Sequence, residues 1–336
     1  MRFDTRMARR CAIRGPIPAL LLLLALIIAV PAQAEWLQGE QAIMGTRCVV
    51  ELWSTDRARG QAAIDAVFTE FRRIDALMST YKQESELSRV NGTAATAPVP
   101  VSRELYDLLA TSIDYSELTG GAFDVTYASV GYLYDYRARV HPDAEAIAAA
   151  LPGINYRHIE LDPATHSVRF RQPGVRIDLG GIAKGHAVDR GIAVLQALGI
   201  DRAMVNAGGD TRIIGDRLGR PWVVGIRHPD DKDKVVLRIP LTDTAMSTSG
   251  DYERYFEEDG VRYHHILDPK TGRSADKLRS VTIIAATATR TDALTKSVFV
   301  MGAEDGIRFI DTLGDVDAIA VTPEGKVLYS KGLTPP

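Results

Sequence analysis

An apolar run that opens directly into a glycine-rich turn and then a helix limits the folds open to this chain more than any other feature. Val175 to Leu179 reads as a strand and leads through Asp178-Leu179-Gly180-Gly181-Ile182-Ala183-Lys184-Gly185. Glycines at such a junction let a ligand approach the backbone while helix N–H groups face its phosphate. Asn206-Ala207-Gly208-Gly209-Asp210 and the later Thr291-Asp292-Ala293-Leu294 complete a pattern that reads as a nucleotide site. The order Gly-Gly-x-x-x-Gly is not the G-x-G-x-x-G of a dinucleotide fold. A G-x-x-x-x-G-K-[ST] loop is also missing, so both common phosphate-binding frames are disfavoured.

The first 34 residues read as a secretory signal, with Arg2, Arg6, Arg9, Arg10 and Arg14 ahead of an apolar run from Ile17 to Val30 and Ala32-Gln33-Ala34 as a small-x-small cleavage site. The apolar run is short for a membrane span of about 20 residues. An uncleaved anchor is the alternative. Cys11 lies before the run and does not suit lipid attachment. The expectation is an exported, periplasmic protein, with association with the inner membrane left open, whose mature part is residues 35–336.

The leader carries five arginines and one aspartate of the chain's 40 basic and 43 acidic residues, so the remainder holds 35 and 42, a net charge near −7. That balance argues against a nucleic-acid partner. Cys48 is the one cysteine left after the leader, which excludes an internal disulfide, and its place in Arg47-Cys48-Val49-Val50-Glu51-Leu52 favours a buried, inert thiol.

Periodicity supplies the elements. Met44 to Trp53 reads as a strand, and Ile64, Val67, Phe68, Phe71, Ile74, Leu77 and Met78 recur at helical spacing, a stripe that core packing explains. Ser102 caps a second helix to Thr119, stopped by Gly120-Gly121. A short helix over Ala144 to Leu151, a helix from Lys184 to Leu198, and helices over Arg290 to Met301 and Ile307 to Leu313 follow. Short strands lie between them, with Asp259-Gly260 as a hairpin signal. Hairpins mixed with separate helices point to an α+β fold of largely antiparallel sheets in one composite domain.

Several motifs in one order resemble the ApbE family of FAD:protein FMN transferases. They are Met44-Gly45-Thr46, Met78-Ser79-Thr80-Tyr81, Thr119-Gly120-Gly121-Ala122-Phe123-Asp124-Val125-Thr126, the two glycine-rich stretches, Ser247-Thr248-Ser249-Gly250-Asp251-Tyr252, His265-Ile266-Leu267-Asp268-Pro269-Lys270-Thr271-Gly272 and Thr291-Asp292-Ala293-Leu294. The resemblance implies a T-fold-like architecture with a cleft between two lobes. It also implies a reaction in which FAD is split at its pyrophosphate, AMP leaves, and FMN is joined to a Thr or Ser hydroxyl of a partner redox protein with the help of Mg2+. By the same resemblance, Met44, Tyr81, Ala122, Phe123, Asp124, Asp178, Lys184 and Ile266 would contact FAD. Gly181 through its carbonyl, Asp292 and Thr295 would hold the metal, and His265 would act as acid–base group. The acceptor would be an exported or membrane-attached redox protein.

The residues themselves permit these roles and blander ones. A carboxylate, a carbonyl and a hydroxyl form a reasonable Mg2+ shell, whereas Asp292 near a helix start also suits plain stabilisation of that terminus. Histidine as a residue type titrates near neutral pH, which suits His265 to the role of a base. His264 should point to the opposite strand face and be structural. Tyr81, Phe123 and Tyr252 suit either ring stacking or core. Ser247 to Gly250 reads as a phosphate- or acceptor-binding loop, or as a simple turn. Lys296 departs from the family, which often has Thr there. It displaces a metal ligand, weakens the metal, lends its own charge to the pyrophosphate, or simply pairs with Asp292 at i, i+4. Replacing the acceptor hydroxyl with water gives an FAD pyrophosphatase, and loss of turnover gives a flavin-binding carrier. These are the competing functions.

Overall fold

The computed structural model describes residues 34–227 and 234–333, so residues 1–33 of the expected signal segment lie outside it. In chain order the elements are β1 (Glu35–Ile43), β2 (Thr46–Ser54), α1 (Arg57–Met78), α2 (Glu86–Thr93), β3 (Val99–Pro100), α3 (Arg103–Leu118), α4 (Ala128–Gly131), α5 (Ala144–Ala150), β4 (Ile159–Asp162) and β5 (Ser167–Phe170). Then come α6 (Ala183–Ala197), β6 (Ala203–Ala207), β7 (Asp210–Ile214), β8 (Trp222–Arg227), β9 (Val235–Leu241), β10 (Ala245–Gly250), β11 (Tyr255–Glu258), β12 (Val261–His264), β13 (Ser280–Ala285), α7 (Ala288–Met301), α8 (Ala303–Ile310), β14 (Asp317–Val321) and β15 (Val327–Tyr329).

Eight strands make one sheet in the order β1-β2-β6-β7-β10-β13-β14-β15. Every ladder in it is antiparallel. The order follows the chain, so each excursion leaves the sheet edge and returns beside the strand it left. The first excursion, from α1 to α6, is the largest. Its helix α1 turns Ile64, Val67, Phe68 and Phe71 onto Cys48, Val50 and Leu52 of β2, all buried in one cluster with the inner face of α6. Each such side chain contributes about 1.5–3 kcal/mol relative to exposure. The opposite face is covered by the β8–β9 hairpin, where Trp222, Ile226 and Ile239 meet Ile213, Met246 and Ile319. No described helix is long and apolar enough to cross a membrane.

The α+β, largely antiparallel expectation holds, and the departures from it have local causes. The first hairpin was invisible because its turn is Met44-Gly45, with φ of 55° and 68°. A methionine in the left-handed region lacks the Asn-Gly or Asp-Gly signature, so the strand that should start at Met44 begins at Thr46, and β1 precedes it. Val175 to Leu179 is not a strand. Its backbone is held instead by side chains and loops: Ile177 N–H donates to Asn91 Oδ1 at 2.7 Å, Ile177 C=O accepts from Asn91 Nδ2 at 2.8 Å, and Asp178 N–H reaches Val125 C=O at 3.0 Å. Ser247 to Gly250 is neither loop nor turn but most of β10, paired to β7 on one side and β13 on the other. Small polar residues in the centre of a sheet carry little strand signal. α7 starts before Arg290, capped by Thr287, and the following helix runs over Ala303–Ile310 rather than Ile307 to Leu313. Helix α2, capped by Ser85, was not anticipated. Cys48 is the buried thiol expected, pushed up to about 11 by burial.

Candidate active site

Helices α6 and α7 touch where Gly185 faces Ala288. A Cβ on Gly185 would overlap the Ala288 carbonyl, so glycine here serves helix packing. This contact brings Asp292, in the second turn of α7, to the first turn of α6, where its Oδ2 accepts from Gly185 N–H at 3.0 Å. Asp292 therefore caps a neighbouring helix rather than its own. Gly209 plays a similar part, since a Cβ there would overlap the Thr248 carbonyl of β10. The Asn206 amide holds that turn by donating to Gly208 C=O and Thr211 Oγ1 at 3.0 and 2.8 Å. Much of the glycine signal is thus spent on close packing beneath the site.

Two buried carboxylates and two half-buried ammoniums meet at this junction. Lys184 Nζ lies 3.3 Å from Asp210 Oδ2 and 3.6 Å from Asp292 Oδ2, and donates to Gly180 C=O at 2.9 Å. Lys296 Nζ donates to Asp292 Oδ1 and lies 3.2 Å from Thr295 Oγ1. Two ammoniums and two carboxylates sum to zero, the condition under which charge tolerates burial. Burial by itself would lower Lys184, but Asp210 and Asp292 outweigh it and hold the ammonium protonated well above the usual range. For Asp292, burial is outweighed by Lys184 and Lys296, so it stays a carboxylate. Asp210 goes up, through burial and the charge of Asp292. The serines of β10 fasten α7 in place: Ser247 Oγ meets Thr291 Oγ1 at 2.7 Å, and Ser249 Oγ donates to Thr295 Oγ1 at 2.9 Å.

Histidines 264 and 265 differ in their surroundings, and β12 ends between them. His264 is buried, with Nε2 2.7 Å from Ala275 C=O and its ring edge-on to Phe299. Burial takes it down to about 4. His265 is taken down to about 3, first by burial and then by His264, Lys296, Arg254 and Lys184. Its Nδ1 is buried and without a hydrogen-bond partner among the described residues. Arg254 was not anticipated. It precedes β11, reaches back to Gly45 C=O at 3.4 Å, and accepts His265 N–H on its own carbonyl at 3.2 Å, contacts between distant segments that carry no local signal.

Of the remaining expected flavin contacts, Tyr81 is exposed and the others are buried or half-buried. Tyr81 is 88% exposed and follows Thr80, whose hydroxyl donates to Asp178 Oδ2 at 2.9 Å. Asp178 Oδ1 accepts from Gly180 N–H at 2.6 Å and from Tyr127 Oη at 3.0 Å, so it shapes the Gly180-Gly181 turn. Met44 is half-buried at the first hairpin turn. Phe123 is buried, with Cε2 3.3 Å from where a Cβ on Gly181 would stand, and Ala122 and Ile266 pack on the core beneath α7. Both carboxylate oxygens of Asp124 are engaged, with Thr126 N–H and hydroxyl on one and Tyr156 N–H at 2.9 Å on the other. Tyr252 is half-buried, its ring against Gly250 and under the Arg227 guanidinium at 5.4 Å, and burial lifts its hydroxyl to about 12. Beside the site, Tyr134 stacks on Tyr136, and Tyr263 stacks on His141 at 4.2 Å and on Phe256 at 5.1 Å. This ties the first excursion to the β11–β12 hairpin.

Two of the donors expected for Mg2+, Asp292 and Thr295, are already engaged. Thr295 donates to Asp292 C=O at 2.7 Å while accepting from Ser249 and facing the Lys296 ammonium, which uses the one donor and two acceptor positions of a hydroxyl. The Lys296 stem runs past Gly181, with Cγ 3.5 Å from a Cβ position there. The residues present do not fit a divalent ion in the position implied by the resemblance.

Residues 44–320 match the model of the ApbE family. The chain belongs to the ApbE family. It is 36% identical over 313 residues to the FAD:protein FMN transferase of Treponema pallidum (strain Nichols), covering 87% of this chain and 86% of the relative. It is 33% identical over 292 residues to one from Klebsiella pneumoniae (strain 342), covering 86% and 90%. The fold matches the crystal structure of the ApbE protein from Thermotoga maritima with a TM-score of 0.83 at 35% identity, covering 89% of this chain and 98% of that one. The flavin transferase ApbE from Vibrio cholerae gives 0.80 at 30% identity with the same coverage.

Proposed function

We propose that this ApbE-family chain is an FAD:protein FMN transferase, acting after export on a Thr or Ser of a membrane-attached or exported redox protein. One observation carries the reading. Lys184 and Lys296 converge on Asp292 at the Gly180-Gly181 turn, and His265, whose N–H is held by the Arg254 carbonyl, keeps a buried Nδ1 with no partner among the described residues. Cations suit a pyrophosphate, and an unprotonated histidine suits the hydroxyl that attacks it.

In the reaction, the acceptor hydroxyl oxygen bonds to the FMN phosphorus as the bond from that phosphorus to the bridging oxygen breaks. AMP leaves with the bridging oxygen. The hydroxyl proton passes to His265 and from there to water. Burial is the larger cause of the lowered His265 value and the cations add to it; two phosphates set against the cations would offset that smaller part. The Asp178-shaped turn and exposed Tyr81 offer a backbone surface and an aromatic face for the flavin nucleotide. The Mg2+ that the family resemblance implies has no fitting donor set here, with the Thr295 hydroxyl saturated and Lys296 on Asp292.

The test is incubation with FAD and an acceptor domain carrying a flavinylation motif. One FMN on one Thr or Ser, surviving denaturation in the mass spectrum, with one AMP released per adduct, is the expected result. AMP without adduct across several acceptors would make the chain a pyrophosphatase, and neither product would leave a flavin-binding protein.

A further inference from the structure

We infer that the Lys296 ammonium serves in this chain as a built-in cation in place of a divalent metal, held on Asp292 and Thr295 beside the Gly181 turn. The inference rests on the transferase reading for its chemistry but on contacts alone for its placement.

Three observations carry it. Lys296 Nζ contacts two of the three donors expected of a metal site, Asp292 Oδ1 and Thr295 Oγ1, and its stem lies against the third residue, Gly181. The Thr295 hydroxyl is saturated by Asp292 C=O, Ser249 and the ammonium, so it offers no lone pair to a further cation. Charge points the same way. Lys184 and Lys296 pair with Asp210 and Asp292, so a divalent ion added to these four would bring two further positive charges next to two ammoniums. Mg2+ also demands near-octahedral oxygen ligation at about 2.0–2.1 Å, which the ammonium blocks.

An ammonium has three donors, and two point at Asp292 and Thr295. The third is left for a phosphate oxygen of FAD. Being part of the chain, it is present at every metal concentration. Substituting Lys296 with a small neutral oxygen donor leaves the quartet one positive charge short and frees lone pairs on Asp292 and Thr295, so the variant should acquire the metal site that the wild type lacks.

The experiment titrates the metal-stripped, flavin-free full-length protein with Mn2+ by electron paramagnetic resonance, and separately assays FMN transfer in EDTA. Lys296→Thr is the main variant. Lys296→Ser is carried beside it in case the branched side chain does not fit, with near-UV circular dichroism to verify folding. The wild type should show no one-per-chain Mn2+ site and should transfer FMN in EDTA. The variants should bind one Mn2+ at least about a hundredfold more tightly than the wild type, in line with removing a unit charge a few ångströms away at an effective dielectric near 20, and their transfer should become dependent on Mg2+. A wild type that binds one Mn2+ as tightly as folded variants, or whose transfer EDTA abolishes and Mg2+ restores, overturns the inference. If no condition yields transfer while the Mn2+ contrast holds, the placement of Lys296 is supported and the transferase reading is what fails.

Discussion

Asp292→Ala should cost far more in stability than its position in the sequence suggests. The side chain is fully buried, accepts Gly185 N–H, and faces both lysines of the quartet. Truncation uncaps the start of α6 and leaves two ammoniums with one carboxylate, Asp210. Breaking a buried ion pair in this way costs about 3–5 kcal/mol. At about 2–4 °C per kcal/mol for a chain somewhat smaller than this one, the melting temperature should fall by about 6–20 °C. Differential scanning calorimetry at neutral pH measures it. The charge argument makes a second demand: Asp292→Asn combined with Lys296→Met restores neutrality, so about 1–3 kcal/mol of the single-variant losses should return as coupling. A melting point within about 2 °C of wild type for Asp292→Ala, less than a 1 kcal/mol change would give, would refute the buried-pair reasoning. So would strict additivity in the double variant.

His265→Ala should slow FMN transfer by about 10²–10⁴-fold while flavin fluorescence still reports FAD binding; equal loss of both would make it a ligand rather than a base. His264 and His265 are held neutral, with folded values of about 4 and about 3 against 6.5, so the unfolded chain takes up more protons between those values and 6.5. Their stability contribution is complete above pH 6.5 and is lost as pH falls, so thermal scans should show a decline of a few kcal/mol between about pH 6.5 and 4.5, ahead of most carboxylate titration; a flat profile there contradicts the burial of both rings. Gly185→Ala should destabilise by about 1–3 kcal/mol through overlap with Ala288, and a neutral result in chemical denaturation would mean that α6 and α7 can separate freely. Tyr81→Ala should change stability by no more than about 0.5 kcal/mol yet weaken FAD binding by the roughly 0.5–1.5 kcal/mol of an aromatic contact; unchanged affinity would remove Tyr81 from the flavin site.

The sequence alone determined the helices with a full apolar stripe and a cap, such as α1 and α3, and the antiparallel class of the sheet, because periodicity and caps are local signals. It also determined the family, since the order of the short motifs is itself sequence. Only the tertiary structure decided how those motifs are used. Asp292 was legible as a carboxylate on a late helix, but not as the cap of α6, because that contact spans 107 residues. Ser247 to Gly250 has the composition of a loop and becomes a central strand because β7 and β13 flank it. The glycines of Gly180 to Gly185 suggested ligand approach, yet Gly185 is required by a neighbouring helix. Lys296 had several readings along the chain. Its place on Asp292 and Thr295 follows from the packing of α7 against α6 and β10, since a charge takes its meaning from the charges folded around it.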